Sequence, residues 1–208
     1  MQTAFIQGMA IGGSLIMAVG AQNAFVLKQG IKRSHPLPIA LLCSFIDALM
    51  ITAGVLGLGH LITSMPMIKH LASFGGALFL LWYGANALRD SFKVKGMELE
   101  VAQGRDTLRK AILTTLGISL LNPHLYLDTV VLLGSISTQF DDDVRHWFGA
   151  GAILASFVWF FSLSFGARLL GPVFAKPVAW KVLDRFIWLT MWSIAAALLW
   201  PYAKMLLQ

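Results

Sequence analysis

Residues 111–136 form an apolar stretch, yet its middle reads Leu121-Asn122-Pro123-His124-Leu125-Tyr126-Leu127-Asp128. About 20 mostly apolar residues suffice to cross a bilayer, and a plain spanning helix has no use for Asn, Pro, His and Asp at that depth. Pro123 has no N–H for the Ser119 carbonyl, and its ring crowds that carbonyl. Asn122 before Pro123 reads as an N-cap followed by a first helical position. The spacing therefore predicts two half-helices meeting near the midplane. The carbonyls around Ser119 are expected to be freed on one side, and a positive helix N-terminus points in from the other. Broken helices of this kind build solute sites in secondary transporters.

The rest of the chain agrees with a membrane setting. Of its 208 residues, 57% are hydrophobic and 12% charged, and the mean hydropathy is +0.72. A soluble domain is nearer half apolar and a quarter charged, so an all-α polytopic membrane protein is expected. The single cysteine, Cys43, excludes an internal disulfide and any CxxC framework. The net charge of +6 does not indicate nucleic acid, because the basic residues sit in short loops and at span ends.

Six spans are expected, at about 4–27, 37–62, 67–88, 111–137, 147–170 and 182–203. No Lys or Arg precedes Lys28, so the first span lacks the basic start of a signal peptide and reads as a retained helix. Lys28, Lys32 and Arg33 fall in the 1–2 loop. Arg89, Lys93, Lys95, Arg105, Arg109 and Lys110 fall in the 3–4 loop, and Arg168, Lys176, Lys181 and Arg185 between spans 5 and 6. The other side has only Lys69, Arg145 and Lys204, with the acidic run Asp141-Asp142-Asp143. The positive-inside rule then places these three loops in the cytoplasm and both termini outside. Residues 91–110 read as a polar linker between two three-helix halves, about 4–90 and 111–203, of opposite orientation. Two weak internal matches favour inverted repeats. Gly12-x-Ser14-Leu15 recurs as Gly117-x-Ser119-Leu120, and Cys43-Ser44-Phe45 through Gly54 recurs as Ala155-Ser156-Phe157 through Gly166.

Carboxylates near the bilayer centre cost roughly 2.5–3.5 kcal/mol on insertion scales, and two stand out. Asp47 lies near the middle of span 2, and Asp128 lies one to two turns past the break. With no Lys or Arg deep in a span to neutralise them, they are expected to await a proton, a metal ion or a cationic solute. The alternative is a protonated or Ser/Asn-bonded structural role. His124 shares a helix face with Asp128 and could relay protons or simply bond a backbone carbonyl. Tyr126 points elsewhere and reads as packing. In span 1, Gln22 and Asn23 follow Gly20, either as interhelical glue or as an amide pair facing solute. Gly8, Gly12, Gly54, Gly57, Gly75 and Gly76 read as close helix contacts. The tryptophans read mostly as interfacial or packing residues.

Several of these stretches together resemble the lysine exporter family, especially its lysine and arginine exporter branch. They are Gly20-Ala21-Gln22-Asn23-Ala24-Phe25-Val26-Leu27-Lys28-Gln29-Gly30-Ile31-Lys32-Arg33, Leu41-Leu42-Cys43-Ser44-Phe45-Ile46-Asp47 and Phe74-Gly75-Gly76 leading into Leu80-Leu81-Trp82-Tyr83-Gly84. Leu120-Leu121-Asn122-Pro123-His124-Leu125-Tyr126-Leu127-Asp128-Thr129 and Ala155-Ser156-Phe157-Val158-Trp159-Phe160 complete the set. The likeness covers nearly the whole chain. One departure is Ala21, where the family usually has Pro, so span 1 is expected to be broken less sharply than span 4. The resemblance implies export of lysine, arginine or close analogues across a bacterial inner membrane, driven by the proton motive force or membrane potential. In that reading the half-helix N-terminus at Pro123 holds the solute carboxylate. The Ser119 carbonyl with the Asn122 or Asn23 amide holds the α-ammonium, and Asp47 and Asp128 pair the distal cation or exchange it for a proton. Asp128, with His124 beside it, is the preferred proton carrier. No cofactor is implied, and a homodimer is compatible with so small a bundle.

Three other readings are weighed. A membrane enzyme finds no HExxH, GxSxG or paired-cysteine motif. A divalent metal transporter could use Asp47, Asp128, His124 and Cys43, although their mixed softness counts against it. Export of neutral amino acids such as homoserine or threonine would leave the two aspartates with only a proton to bind.

Overall fold

The computed structural model describes residues 1–17, 20–57, 66–92 and 107–206. Most of the 91–110 linker, with Lys93, Lys95 and Arg105, therefore lies outside the described residues, as do Val19 and His60. The described chain is helical. Its elements are α1 (Gln2–Ile16), α2 (Ala21–Ile31), α3 (Pro36–Val55), α4 (Pro66–Ser91) and α5 (Leu108–Leu120). After the Asn122 break come a one-turn helix α6 (Pro123–Leu125), a π-helical stretch π1 (Tyr126–Leu132) and α7 (Leu133–Ser137). The chain continues through α8 (Asp142–Gly166), a 3₁₀ turn (Ala167–Leu170), the short α9 (Gly171–Phe174) and α10 (Pro177–Leu206).

Three of these helices are long and apolar enough to cross a bilayer: α3, α8 with its 3₁₀ extension, and α10. Joining α1 and α2 as one bent span gives a fourth. Large apolar side chains such as Phe45, Leu78, Val158 and Leu189 stand more than half exposed on the outside of the bundle. Water would not tolerate so much exposed apolar surface, but lipid does. This is an integral membrane protein.

Span 1 is broken although Ala21 replaces the proline: α1 and α2 are separate helices bent by 82°. Gly20 supplies the extended backbone (φ −137°, ψ 176°) from which α2 starts, a conformation open to any residue, so proline after it is not required.

The helices interleave the two halves of the chain. α1 packs along α8, α4 along α10, and α3 against both α8 and the π1–α7 segment. The α1–α8 seam is set by small residues. A side chain at Gly8 would meet the Phe148 backbone, and one at Gly151 would meet the Phe5 carbonyl. Gly54 and Gly76 are also close contacts, against Thr129 and Leu121, whereas nothing lies within 4 Å of a Cβ at Gly57 or Gly75. Gly57 instead ends α3 in the left-handed region (φ +85°), where glycine carries no steric cost.

Two apolar cores result. The larger joins α2, α3, α4, α5, α8 and α10 around Phe25, Leu80, Ile118, Phe160, Trp180 and Met191. The smaller joins α1, α3, α7 and α8 around Ala4, Ile51, Leu133 and Phe148. Lys28 belongs to α2 rather than to a loop, and is 7% exposed.

Candidate functional site

Where the two cores meet, a cavity of about 290 Å³ opens between the broken helices. That is close to the lower end of the ~300–1,000 Å³ usual for small-molecule sites. Gly20, Ala21, Gln22 and Asn23 line it from the first break, Asp47 from α3, and Asn122, His124, Asp128 and Thr129 from the second. Leu15, Ile16, Leu133, Phe160 and Ile194 supply apolar wall.

The second break forms as the residues require. The Asn122 side-chain carbonyl accepts from the His124 N–H at 3.2 Å, which is the predicted N-cap. The Leu125 N–H donates to the Asn122 backbone carbonyl at 3.1 Å. These two amides are therefore taken, and Pro123 has none, so the N-terminus at Pro123 offers a solute carboxylate little. The Ser119 carbonyl is not freed either, since it accepts from the Asn122 N–H at 3.2 Å. Ser119 itself is fully buried and does not line the cavity. The Leu120 carbonyl takes the Tyr126 hydroxyl at 2.8 Å. Tyr126 thus ties the two half-helices together, a role its position two residues from Asp128 did not suggest.

The first break is tied in the same manner. Asn23 Nδ2 donates to the Ile16 carbonyl at the end of α1, at 2.9 Å. Trp159 Nε1 on α8 donates to Asn23 Oδ1 at 3.1 Å. Asn23 is therefore glue with one edge on the cavity. Beside it the N-terminus of α2 carries no side-chain cap. The first N–H groups of a helix lack partners within it and favour an anion, so this end suits a carboxylate better than the one at Pro123.

Asp47 is 2% exposed. Its Oδ2 accepts from Ser156 Oγ at 2.8 Å, while Oδ1 is buried without a hydrogen-bond partner among the described residues. Gln22 Nε2 is in the same state. Buried polar atoms are nearly always paired, so an acceptor and a donor left open on one cavity mark where a polar solute would complete the bonding. Asp128 sits on π1, half-buried on the same cavity as His124. The Thr129 hydroxyl bonds the Leu125 carbonyl four residues back, and π-helical turns are frequent at functional sites. Asp47 and Gly54 are seven apart on one face of α3. A Cβ at Gly54 would come 2.6 Å from the Thr129 carbonyl, so that glycine lets α3 lie directly on π1. Among the described residues no group of three or more His, Cys, Asp or Glu comes together to hold a metal ion. Cys43 is fully buried and does not line the cavity.

Two features escaped the sequence reading. Asp184 on α10 is fully buried and accepts from Lys28 Nζ at 2.6 Å, and nothing in the sequence singled it out. Trp159, read as an interfacial or packing residue, and Ser156, quoted for its repeat pattern and the family resemblance, are the side chains that hold Asn23 and Asp47.

Comparison with known proteins settles the class. The LysE type translocator model matches residues 13–201. The chain belongs to that family: it is a translocator, not an enzyme. It is 39% identical over 99% of its length to the arginine exporter protein ArgO of Serratia proteamaculans, all of which is covered. It is 42% identical to the ArgO of Yersinia enterocolitica, covering 94% of this chain and 95% of that one. It is also 42% identical to a putative amino-acid transporter, YggA, of Aeromonas salmonicida, covering 93% and 94%. No solved structure gives a significant match.

Proposed function

We propose that this protein exports arginine, lysine or both across the bacterial inner membrane, binding them in the cavity between the two broken helices. The observation that carries the reading is Asp47 Oδ1, a carboxylate oxygen buried without a partner on that cavity. The arginine-exporter names of its relatives point the same way. Asp47 and Asp128 take the distal cation. The uncapped N-terminus of α2 and the Gln22 amide take the carboxylate end, with Asn122 and Asn23 at the rim for the α-ammonium. In this arrangement Ser119 and Pro123 shape the break rather than touch solute. Asp128, with His124 one turn away, carries the proton in an antiport cycle.

We further infer six crossings in two inverted halves, about 4–90 and 111–203, joined by the linker, with both termini outside. The helix packing supports this. If spans 1, 2 and 3 correspond to 4, 5 and 6, exchanging them turns the α1–α8 contact into the contact of α3 with the second broken span. The α3–α8 and α4–α10 contacts map onto themselves. Alternating access is then a rocking of one half against the other.

The test is efflux of labelled arginine, lysine and threonine from preloaded proteoliposomes, with and without a pH gradient. Wild type should move the basic amino acids, faster with the gradient, and Asp47→Asn and Asp128→Asn should not. Movement of threonine alone, or full activity of both variants, refutes the reading.

A further inference from the structure

Away from the cavity, Lys28 and Asp184 form an ion pair buried at both ends. Nζ lies 2.6 Å from Oδ1, and the side chains are 9% and 0% exposed. The pair joins α2, the second half of a broken helix, to α10 at the other end of the chain. Its place along both helices is informative. Lys28 lies five residues beyond Asn23, about 7.5 Å at ~1.5 Å per residue, and Asp184 ten residues before Ile194, about 15 Å. Asn23 and Ile194 both line the cavity, so the pair lies beyond one end of it along both helices. The buried residues intervening along the two helices, among them Phe25, Val26, Ile187 and Met191, are apolar. This is also the end at which Lys32, Arg33, Lys181 and Arg185 cluster in sequence.

Holding the fold together is a poor explanation for the pair. α2 and α10 already share an apolar core, and the desolvation of two charges commonly cancels their attraction. Two opposite charges locked between elements that the proposed rocking of the halves would part have a more specific use.

We propose that Lys28 and Asp184 form a latch across the solute path and, once parted, a transit site for a basic amino acid. The proposal rests on the cavity being a basic amino-acid site. A lysine side chain presents to Asp184 the same ammonium that Lys28 does, and an arginine presents a guanidinium fork that matches a carboxylate at two points. The displaced Lys28 ammonium faces the solute's own carboxylate. One cation replaces another, so no carboxylate is left bare in the low-dielectric interior. A neutral amino acid has no distal cation to offer Asp184, and the latch stays shut. The pair therefore selects for basic solutes before they reach the cavity.

The decisive variant is Lys28→Met with Asp184→Leu, which exchanges the pair for apolar groups of similar size and removes both charges together. The full chain should still fold and still be stabilised against heat by arginine, because the cavity is intact. Its arginine efflux should fall at least tenfold, with preference over threonine reduced. Should that protein not fold, Lys28→Gln with Asp184→Asn, which removes both charges but keeps a donor and an acceptor at the buried pair, should show the same loss of arginine efflux and of preference. Undiminished efflux by either folded neutral pair overturns the latch alone. A wild type that arginine neither stabilises nor moves overturns the cavity reading, and the latch with it.

Discussion

Among the described residues Asp47 is held from one side, through Oδ2, and that asymmetry makes its surroundings testable residue by residue. Ser156→Ala removes the hydrogen bond to that oxygen. Leaving a buried acceptor unpaired costs about 1–3 kcal/mol, so the variant should unfold at lower temperature, with the loss read in a thermal melt. Arginine should restore more of the melting temperature in this variant than in wild type, because the solute then supplies the only partner. Tyr126→Phe deletes a single hydroxyl that caps the Leu120 carbonyl. It should lower stability by about 0.5–1.5 kcal/mol and slow efflux through a looser break, without altering the choice between arginine and lysine. At this scale the sequence was legible where chemistry was conspicuous: a carboxylate or a proline in an apolar run announces itself. Ser156 and Trp159 did not, because a serine or tryptophan in a membrane helix is ordinary until the partner across the bundle is known. Lys28 and Asp184 were hidden differently. Each sits beside other charges near a helix end, so charge counting placed Lys28 in a loop and passed over Asp184, although burial sets both apart.

At the scale of helices, the break at Asn122-Pro123 was legible because proline and the cap act within four residues. The break in span 1 was underrated because it depends on Gly20 and on tertiary ties through Asn23, not on a local proline. Glycines show the same limit. Gly75 and Gly76 are adjacent and alike in sequence, yet a Cβ at Gly76 runs into the Leu121 carbonyl while one at Gly75 meets nothing within 4 Å. Gly76→Ala should therefore push α4 off the break, costing about 1–3 kcal/mol as overpacking does and reducing efflux. Gly75→Ala should leave both stability and transport unchanged. Parallel melts and efflux assays of the two variants check this, and equal behaviour would contradict the packing described. Gly54→Ala should resemble Gly76→Ala, since α3 would be lifted from π1 and Asp47 drawn away from Asp128.

For the whole molecule, a solute that completes the bonding of Asp47 and Gln22 must stabilise the folded state by mass action. Arginine at ~100 times its dissociation constant should add about 2.7 kcal/mol, and Asp47→Asn should abolish that gain in the same melt. The class of protein was legible from hydropathy and the ordered motifs; the way the halves interleave was not, because helix order in space is decided by which small residues meet. The recurring Gly-x-Ser-Leu pattern starts at Gly12 and again at Gly117, and the same step of 105 residues carries Asn23 to Asp128. The step from Ser44 to Ser156 is 112 residues, and it carries Asp47 to Trp159. The bonded couple Asn23–Trp159 and the two cavity carboxylates thus occupy corresponding places in the two motif sets. The first couple is neutral and content with itself, so an arriving solute gives it no reason to part. In the proposed binding mode the second takes a cation between its carboxylates. Under the proposed repeat, one frame would carry a rivet on one side and an open jaw on the other.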